Sequence, residues 1–542
     1  MSDLTPSTSK ASFFPDRSFF PDRGSPLPLV LRGLEPRSVW SAFATLMAIP
    51  HDSGAEAAVR VALIQYAERR GFAFQTDDAG NLAIRAPGRG RGVNAPILAV
   101  QAHMDMVCEA APGVRHDFKR DPIRPVSRSE QIRGVVTDVI GADGTTLGAD
   151  NGIGLAMALA LLEERTLMED CPPLEVICTV EEETGLHGAR KIGAGMIRAA
   201  NLINLDSEEF GEVCRSCAGS FEFSASFPLL RSVAPAGAVP LVVTAEGLPG
   251  GHSGVEIHKG IVNPIVVLHR VLCSVLEHDS RWLADFNGGT KRNVIPSRAS
   301  ATLWVMADDL EQAQVNIQRA WEASTLSEFP LADQRGELTF SRPEAGMAPI
   351  PLERDATQRL LSGLGGIVHG VIEMSDKVPG LVATSNNWAS IALTENSGDV
   401  LCLTRSSKPG GGEACVAMQL SEVARSGGRG QIIDMYEGWE PEPDSDLLSI
   451  TLQAHERVMG RNPKIIDIHA GLECGPFKRQ RPDLHMISFG PDITGAHTPR
   501  ECVGVESVAA VWEILVDVVK KAAAFEVVDR DNGANADEMN VD

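Results

Sequence analysis

Short apolar runs alternate along most of the chain with stretches whose apolar residues recur at helical spacing, the pattern of an α/β protein with a mostly parallel sheet. Residues 97–101, 174–180, 202–205 and 486–489 read as strands, and each runs straight into polar residues able to bind metal. Residues 150–165 open with Asp-Asn, a helix-capping pair, and continue as a buried apolar helix. Open α/β sheets build their sites at the carboxyl ends of strands, and the polar residues gather there. Residues 219–436 read differently, with strand-like segments at 241–245 and 301–306, interspersed helices and many Gly and Ser turns. The expectation is a first domain over 37–218 and 437–526, with helices on both faces of its sheet, and an α+β lid domain inserted over 219–436. The motif around His497 returns to the style of the first domain, which is why an insertion is preferred to two domains in series.

Both ends differ from the middle. Residues 1–36 are rich in Ser, Pro and Arg and carry a tandem repeat, Ser12-Phe-Phe-Pro-Asp-Arg17 followed by Ser18-Phe-Phe-Pro-Asp-Arg23. Such a segment buries too little to order itself, so it reads as a flexible extension, and the acidic residues 527–542 read as a disordered tail. At 542 residues the chain is too long for one ordinary core. Its 49 Lys and Arg against 72 Asp and Glu give a net charge of -23, which argues against nucleic acid or anionic membrane as the main partner. No stretch of about eighteen apolar residues offers a membrane span. The N-terminus lacks the apolar core of a secretory signal, and its acidic residues speak against a transit peptide. Ten cysteines form no disulfide framework, and the one CxxC, Cys214 and Cys217, has no second pair to complete a zinc site. A cytosolic location follows.

Five polar clusters carry candidate chemistry. In Gln101-Ala-His103-Met-Asp105 the two side chains share one side of an extended segment, so Asp105 can orient a metal-bound His103, although a surface pair has the same pattern. Gly148-Ala-Asp150-Asn-Gly-Ile-Gly154 either aims a carboxylate from an irregular helix start or merely caps the helix. Glu181, Glu182 and Glu183 emerge together from an apolar strand and repel one another unless a cation sits among them; a solvated acidic turn is the alternative. Asp206 repeats the arrangement after the next strand, and His497 lies in a Gly- and Pro-rich loop after the last. Each has a bland explanation, but five at one end of one sheet do not. Two histidines with several carboxylates suit zinc, cobalt or manganese.

These motifs resemble the peptidase family that includes aminoacyl-histidine dipeptidase, carnosinases and related di-zinc exopeptidases. The likeness runs from about Pro36 to Val519 through long strings in one order: QAHMDMV, HDFKRDPI, GTTLGADNGIG, INLDSEE, GGHSGVEIH, DFNGGT, HAGLECG and ITGAHTP. The resemblance implies a dipeptidase for Xaa-His and related dipeptides with two metal ions per chain, expected to be Zn2+, with Co2+ or Mn2+ as alternatives. It implies His103, Asp150, Glu183, Asp206 and His497 as ligands, with Asp150 bridging, Asp105 orienting His103 and Glu182 as general base. Counting back from Gly185 sets that register and leaves Glu181 as an extra. A water shared by two cations is acidified, and a nearby carboxylate takes its proton as it attacks the peptide carbonyl. His252 in GGHSG then corresponds to the donor for the developing oxyanion, from its own chain or a partner's. Arg405 is a candidate clamp for the substrate carboxylate, Glu473 for its α-amino group, and Asn293 a further substrate contact. The family is often dimeric, so a homodimer is an expectation. Two rival readings are an amidase of N-acyl amino acids on the same fold and a non-catalytic scaffold that retains zinc.

Overall fold

The computed structural model describes residues 27–328, 336–344 and 346–526, so the Ser-Phe-Phe-Pro-Asp-Arg repeat and the acidic tail lie outside the described residues. The chain forms two compact units. Unit 1 holds the residues up to Arg215, Asp444–Ile466 and those from Gln480 onward; unit 2 holds Ser216–Pro443 and Asp467–Arg479.

The centre of unit 1 is an eight-stranded mixed sheet. Its four middle strands, Leu174–Thr179, Leu98–His103, Asn201–Asn204 and His485–Ser488, lie side by side and parallel. Every residue of the first three is buried, which is why their sequences read as continuous runs rather than alternations. The parallel character stops there, since Ala73–Thr76, Leu82–Ala86 and Glu212–Cys217 join antiparallel. Helix Ala149–Glu164 is buried on nearly all sides and packs on Arg37–Leu46 and on the strand Leu98–His103. A separate four-stranded sheet joins Pro125–Ile132, Val135–Ala142, Cys502–Gly504 and Ile493–Thr494. Residues 27–36 depart from the expected flexible extension: Leu27 and Leu31 enter the core of unit 1. Two leucines four apart suffice to anchor a short turn, a signal that the Ser, Pro and Arg around them hide.

Unit 2 is built on a nine-stranded sheet whose strand pairs are antiparallel. Strand Gly219–Pro228 shows how sequence makes its core: Phe221, Phe223, Ala225 and Phe227 alternate onto one face. They pack with helix residues such as Leu268, Leu272, Leu364 and Val416. Helix Pro264–Val275 begins where Asn263 accepts the N–H of Ile265 at 3.0 Å, with Pro264 at its first position. The residue limits differ from the expected 219–436: unit 2 begins at Ser216, runs to Pro443 and takes in Asp467–Arg479 from the stretch assigned to the first domain. Backbone pairing sets this, because Cys217 exchanges hydrogen bonds with Trp439 and Ala218 donates to Ala470. Among the described residues no helix is long and apolar enough to cross a membrane, and all ten cysteines are free thiols, Cys214 and Cys217 among the buried ones.

Candidate metal centre and active site

The parallel strands deliver the expected cluster. His103 closes its strand, Glu182 and Glu183 follow Leu174–Thr179, Asp206 follows Asn201–Asn204, and His497 lies beyond His485–Ser488. Asp150 comes from the first turn of helix Ala149–Glu164, where it and Asn151 leave helical geometry. Gly148 stands before the helix without side-chain help, and the side-chain partners of Asp150 are imidazoles rather than helix N–H groups. Its carboxylate instead spans two imidazoles: Oδ1 lies 3.1 Å from His103 Nε2 and Oδ2 lies 3.1 Å from His497 Nε2.

Around this carboxylate the donors fall into two groups of three that share Asp150. One is His103, Asp150 and Asp206, and the other is Asp150, Glu183 and His497, the donor atoms of each lying within 4.8 Å of one another. Asp206 Oδ1 is 3.4 Å from His103 Nε2, and Glu183 Oε2 is 2.8 Å from His497 Nε2. Glu182 forms a further group with His103 and Glu183, whereas Glu181 joins none of these groups.

The electrostatics are those of crowded, buried charge. Burial pushes the Glu183 carboxyl up to about 7 and raises Asp206 as well. Hydrogen bonds to Asp150 and Glu183 lift His497 to about 11. Burial opposes a charged His103, but Asp206, Asp105 and Asp150 outweigh it and hold its pKa well above the ordinary imidazole value. Burial likewise opposes ionised Asp150, and the two imidazoles reverse the outcome. Glu183 Oε1 is buried and accepts no hydrogen bond among the described residues. Two imidazoles, three carboxylates and an unused buried oxygen are a donor set that fits a pair of borderline divalent cations.

Asp105 does more than its HxD spacing suggested. Its carboxylate is 3.4 Å from His103 Nδ1, while its backbone carbonyl is nearer that nitrogen at 3.0 Å. The carboxylate oxygens receive the N–H groups of Glu182 and Glu183 at 3.1 and 3.3 Å and the hydroxyl of Ser53 at 2.8 Å. Asp105 therefore fixes the turn that presents both glutamates. Glu56 performs a similar service one residue earlier, accepting the N–H of Glu181 at 3.0 Å.

Several residues escaped the sequence reading. A buried polar ladder crosses the parallel strands just before the site: Gln101 donates to Thr179 at 3.1 Å, Asn204 to Gln101 at 2.6 Å, and Ser488 to Asn204 at 2.5 Å. Its signal was available, since Gln101 and Asn204 each stand two positions before a candidate ligand. Asn151 donates to Asp206 at 2.5 Å. Ser53, Glu56 and Glu501 carried no local signal, because each acts on a segment distant in sequence.

The remaining candidates belong to unit 2. His252 Nδ1 accepts the N–H of Gly254 and of Val255, both at 3.1 Å, which leaves the ring proton on Nε2. Burial, then Arg405, lowers its pKa and keeps it a neutral N–H donor. Asn293 adjoins it, its carbonyl accepting the N–H of Ser253 at 3.0 Å, with its side chain exposed. Arg405 is only 6% exposed, and its Nε finds no hydrogen-bond partner among the described residues. A side chain on Gly254 would collide with Arg405 and with the carbonyl of His469, which explains a glycine there. His469 lies 2.8 Å from Ser385 Oγ, and burial with Arg405 pushes its pKa down to about 3. Glu473 is fully buried at the start of helix Cys474–Gln480.

Comparison with known proteins gives the family and the fold. The sequence profile of peptidase family M20/M25/M40 matches residues 99–521. The cytosol non-specific dipeptidase of Escherichia coli (strain K12) is 37% identical over 497 residues, 91% of this chain and 99% of that protein. The crystal structure of aminoacylhistidine dipeptidase from Vibrio alginolyticus is similar with a TM-score of 0.82 and 33% identity, covering 90% of this chain and 97% of that one. A tripeptidase from Staphylococcus aureus shares the fold at a TM-score of 0.50 and 14% identity, over 90% of this chain and 99% of its own.

Proposed function

The chain belongs to peptidase family M20/M25/M40, and from that premise we propose that it is a metal-dependent dipeptidase of the cytosol that hydrolyses Xaa-His and related dipeptides. The observation that carries the metal-dependent reading is Asp150, whose two oxygens each face a different histidine and so join two groups of donors. His103 and Asp206 would hold one ion and Glu183 and His497 the other, with Asp150 common to both donor groups. Two divalent ions held there would acidify a water and polarise the scissile carbonyl.

The chain's own groups do the rest. Glu182, whose carboxylate reaches within 4.8 Å of donor atoms on His103 and Glu183, takes the proton of the attacking water and returns it to the departing amine. Asp105 keeps that glutamate in place through its backbone N–H. His252 offers its Nε2–H to the oxyanion, and a neutral imidazole suits that task because it gives a proton-bearing donor without a competing charge. Arg405, buried with an unused Nε, takes the free carboxylate that distinguishes a dipeptide from a longer chain's interior. Asn293 and Glu473 complete the substrate contacts, Glu473 at the α-amino end. The test is metal analysis of the purified protein with turnover of Ala-His, β-Ala-His, unrelated dipeptides and N-acyl amino acids. Two ions per chain and cleavage of Ala-His support the reading. Faster turnover of the N-acyl substrates replaces it with an amidase, and absence of any turnover by the two-metal protein leaves a scaffold.

A further inference from the structure

We infer that Glu501 is a positioning residue of the metal centre: it locks the loop that carries Asp150 to the hairpin that carries His497, and so sets the distance between the two halves of the site. The inference rests on the reading of Asp150 and His497 as ligands. His497 stands between the paired segments Ile493–Thr494 and Cys502–Gly504, and Glu501 lies at the foot of the return strand. The residue is 2% exposed. One oxygen accepts the N–H groups of Leu147 at 2.7 Å and Gly148 at 3.0 Å; the other accepts those of Ala149 at 2.6 Å and Asp150 at 3.2 Å. The last three are donors that a helix start leaves without internal partners, and Leu147 lies just before it.

Two further facts make the contact more than a cap. The helix it closes has no side-chain cap of its own and runs through non-helical geometry at Asp150 and Asn151, so little else dictates where Asp150 points. The hairpin it belongs to places His497 at φ 62, a backbone region that a residue with a side chain enters only when its surroundings impose it. Asp150 must meet His103 and His497 at once, and ligand positions for a metal tolerate errors of about 0.2 Å. A carboxylate that clamps four consecutive N–H groups from the hairpin of the other ligand removes the freedom that would spoil that fit.

The experiment compares Glu501→Gln and Glu501→Asp with the parent as full chains. Zinc and cobalt affinities are measured by chelator competition, the visible spectrum of the cobalt-loaded protein is recorded, and melting is followed with and without metal. Both variants are expected to bind metal about 10–100-fold more weakly, to shift the cobalt bands, and to gain less from metal in melting temperature. Should Glu501→Gln fail to fold, Glu501→Asp, which keeps the charge but withdraws it by one methylene, decides the matter. Parent-like affinity and spectrum, with an equal loss of melting temperature in loaded and metal-free protein, would make Glu501 a structural cap and overturn the inference. A parent that binds no metal would overturn the underlying ligand reading instead, whatever the variants do.

Discussion

Asp105→Asn removes one oxygen from the residue that ties His103 to the glutamate turn, and the structure allows its cost to be worked out. Oδ1 takes the N–H of Glu182 and faces His103; Oδ2 takes the hydroxyl of Ser53 and the N–H of Glu183. An amide has a single oxygen, so in either orientation its NH2 confronts a backbone N–H of Glu182 or Glu183. Ser53 can rotate to accept; the backbone cannot. Losing one hydrogen bond to a charged acceptor costs about 1.5–3 kcal/mol. A second route gives the same size. Burial opposes the charged Asp105, yet His103, Ser53 and the Glu182 N–H hold its carboxyl down to about 2 from 3.8. At about 1.4 kcal/mol per tenfold change this amounts to ~2.5 kcal/mol. The sign follows from the depression: the contribution is present above the ordinary carboxylate range and is lost as pH falls from about 4 toward 2. Urea titration of metal-free parent and variant at pH 7 should therefore show a loss of about 2–3 kcal/mol, and kcat/KM on Ala-His should fall about 10–100-fold in the loaded protein. A variant within 0.5 kcal/mol of the parent at pH 7, with parent-like turnover, refutes the accounting and returns Asp105 to a passive neighbour of His103.

Three other outcomes are expected. Glu182→Gln should lower kcat by about 10²–10⁴-fold with both metals retained, because the amide keeps the shape but cannot take a proton; metal loss by inductively coupled plasma analysis would make Glu182 a ligand. His252→Ala should lower kcat about 10²–10³-fold, leaving metal content unchanged and KM much less altered, and turnover within a few-fold of the parent would reduce it to a turn residue. Loading the metal-free protein with zinc at pH 8 should release about two protons, since carboxylate neighbours raise both His103 and His497 and both must deprotonate to bind. Those raised values mean that both imidazoles carry their proton from acid through neutral pH, His497 losing its own only as pH rises toward about 11. Calorimetry in buffers of different ionisation enthalpy gives the proton count directly, and release of none would place the histidines outside the coordination.

The local sequence was enough for the parallel strands and for the ends from which the candidate ligands project. Buried parallel strands are mostly apolar, so the polar residues gathered at and after the ends of Leu98–His103, Leu174–Thr179 and Asn201–Asn204 stand out against them. That contrast made His103, Glu182, Glu183 and Asp206 legible one by one, and long motif strings supplied their register. Whether Asp150 capped a helix or faced a metal was beyond local pattern, because both uses ask for an aspartate at a helix start. Folding sets each of its oxygens against a different histidine, one of them His497, 347 residues away. The supporting groups were decided in the same way. Ser53 serves Asp105 from 52 residues off and Glu501 serves Leu147 from 354, and neither is flanked by anything that marks it. A ligand must be a particular residue type beside a particular strand, which leaves a trace in the chain; a buried carboxylate that satisfies orphan N–H groups needs only to arrive at the right place, and only the tertiary structure brings it there.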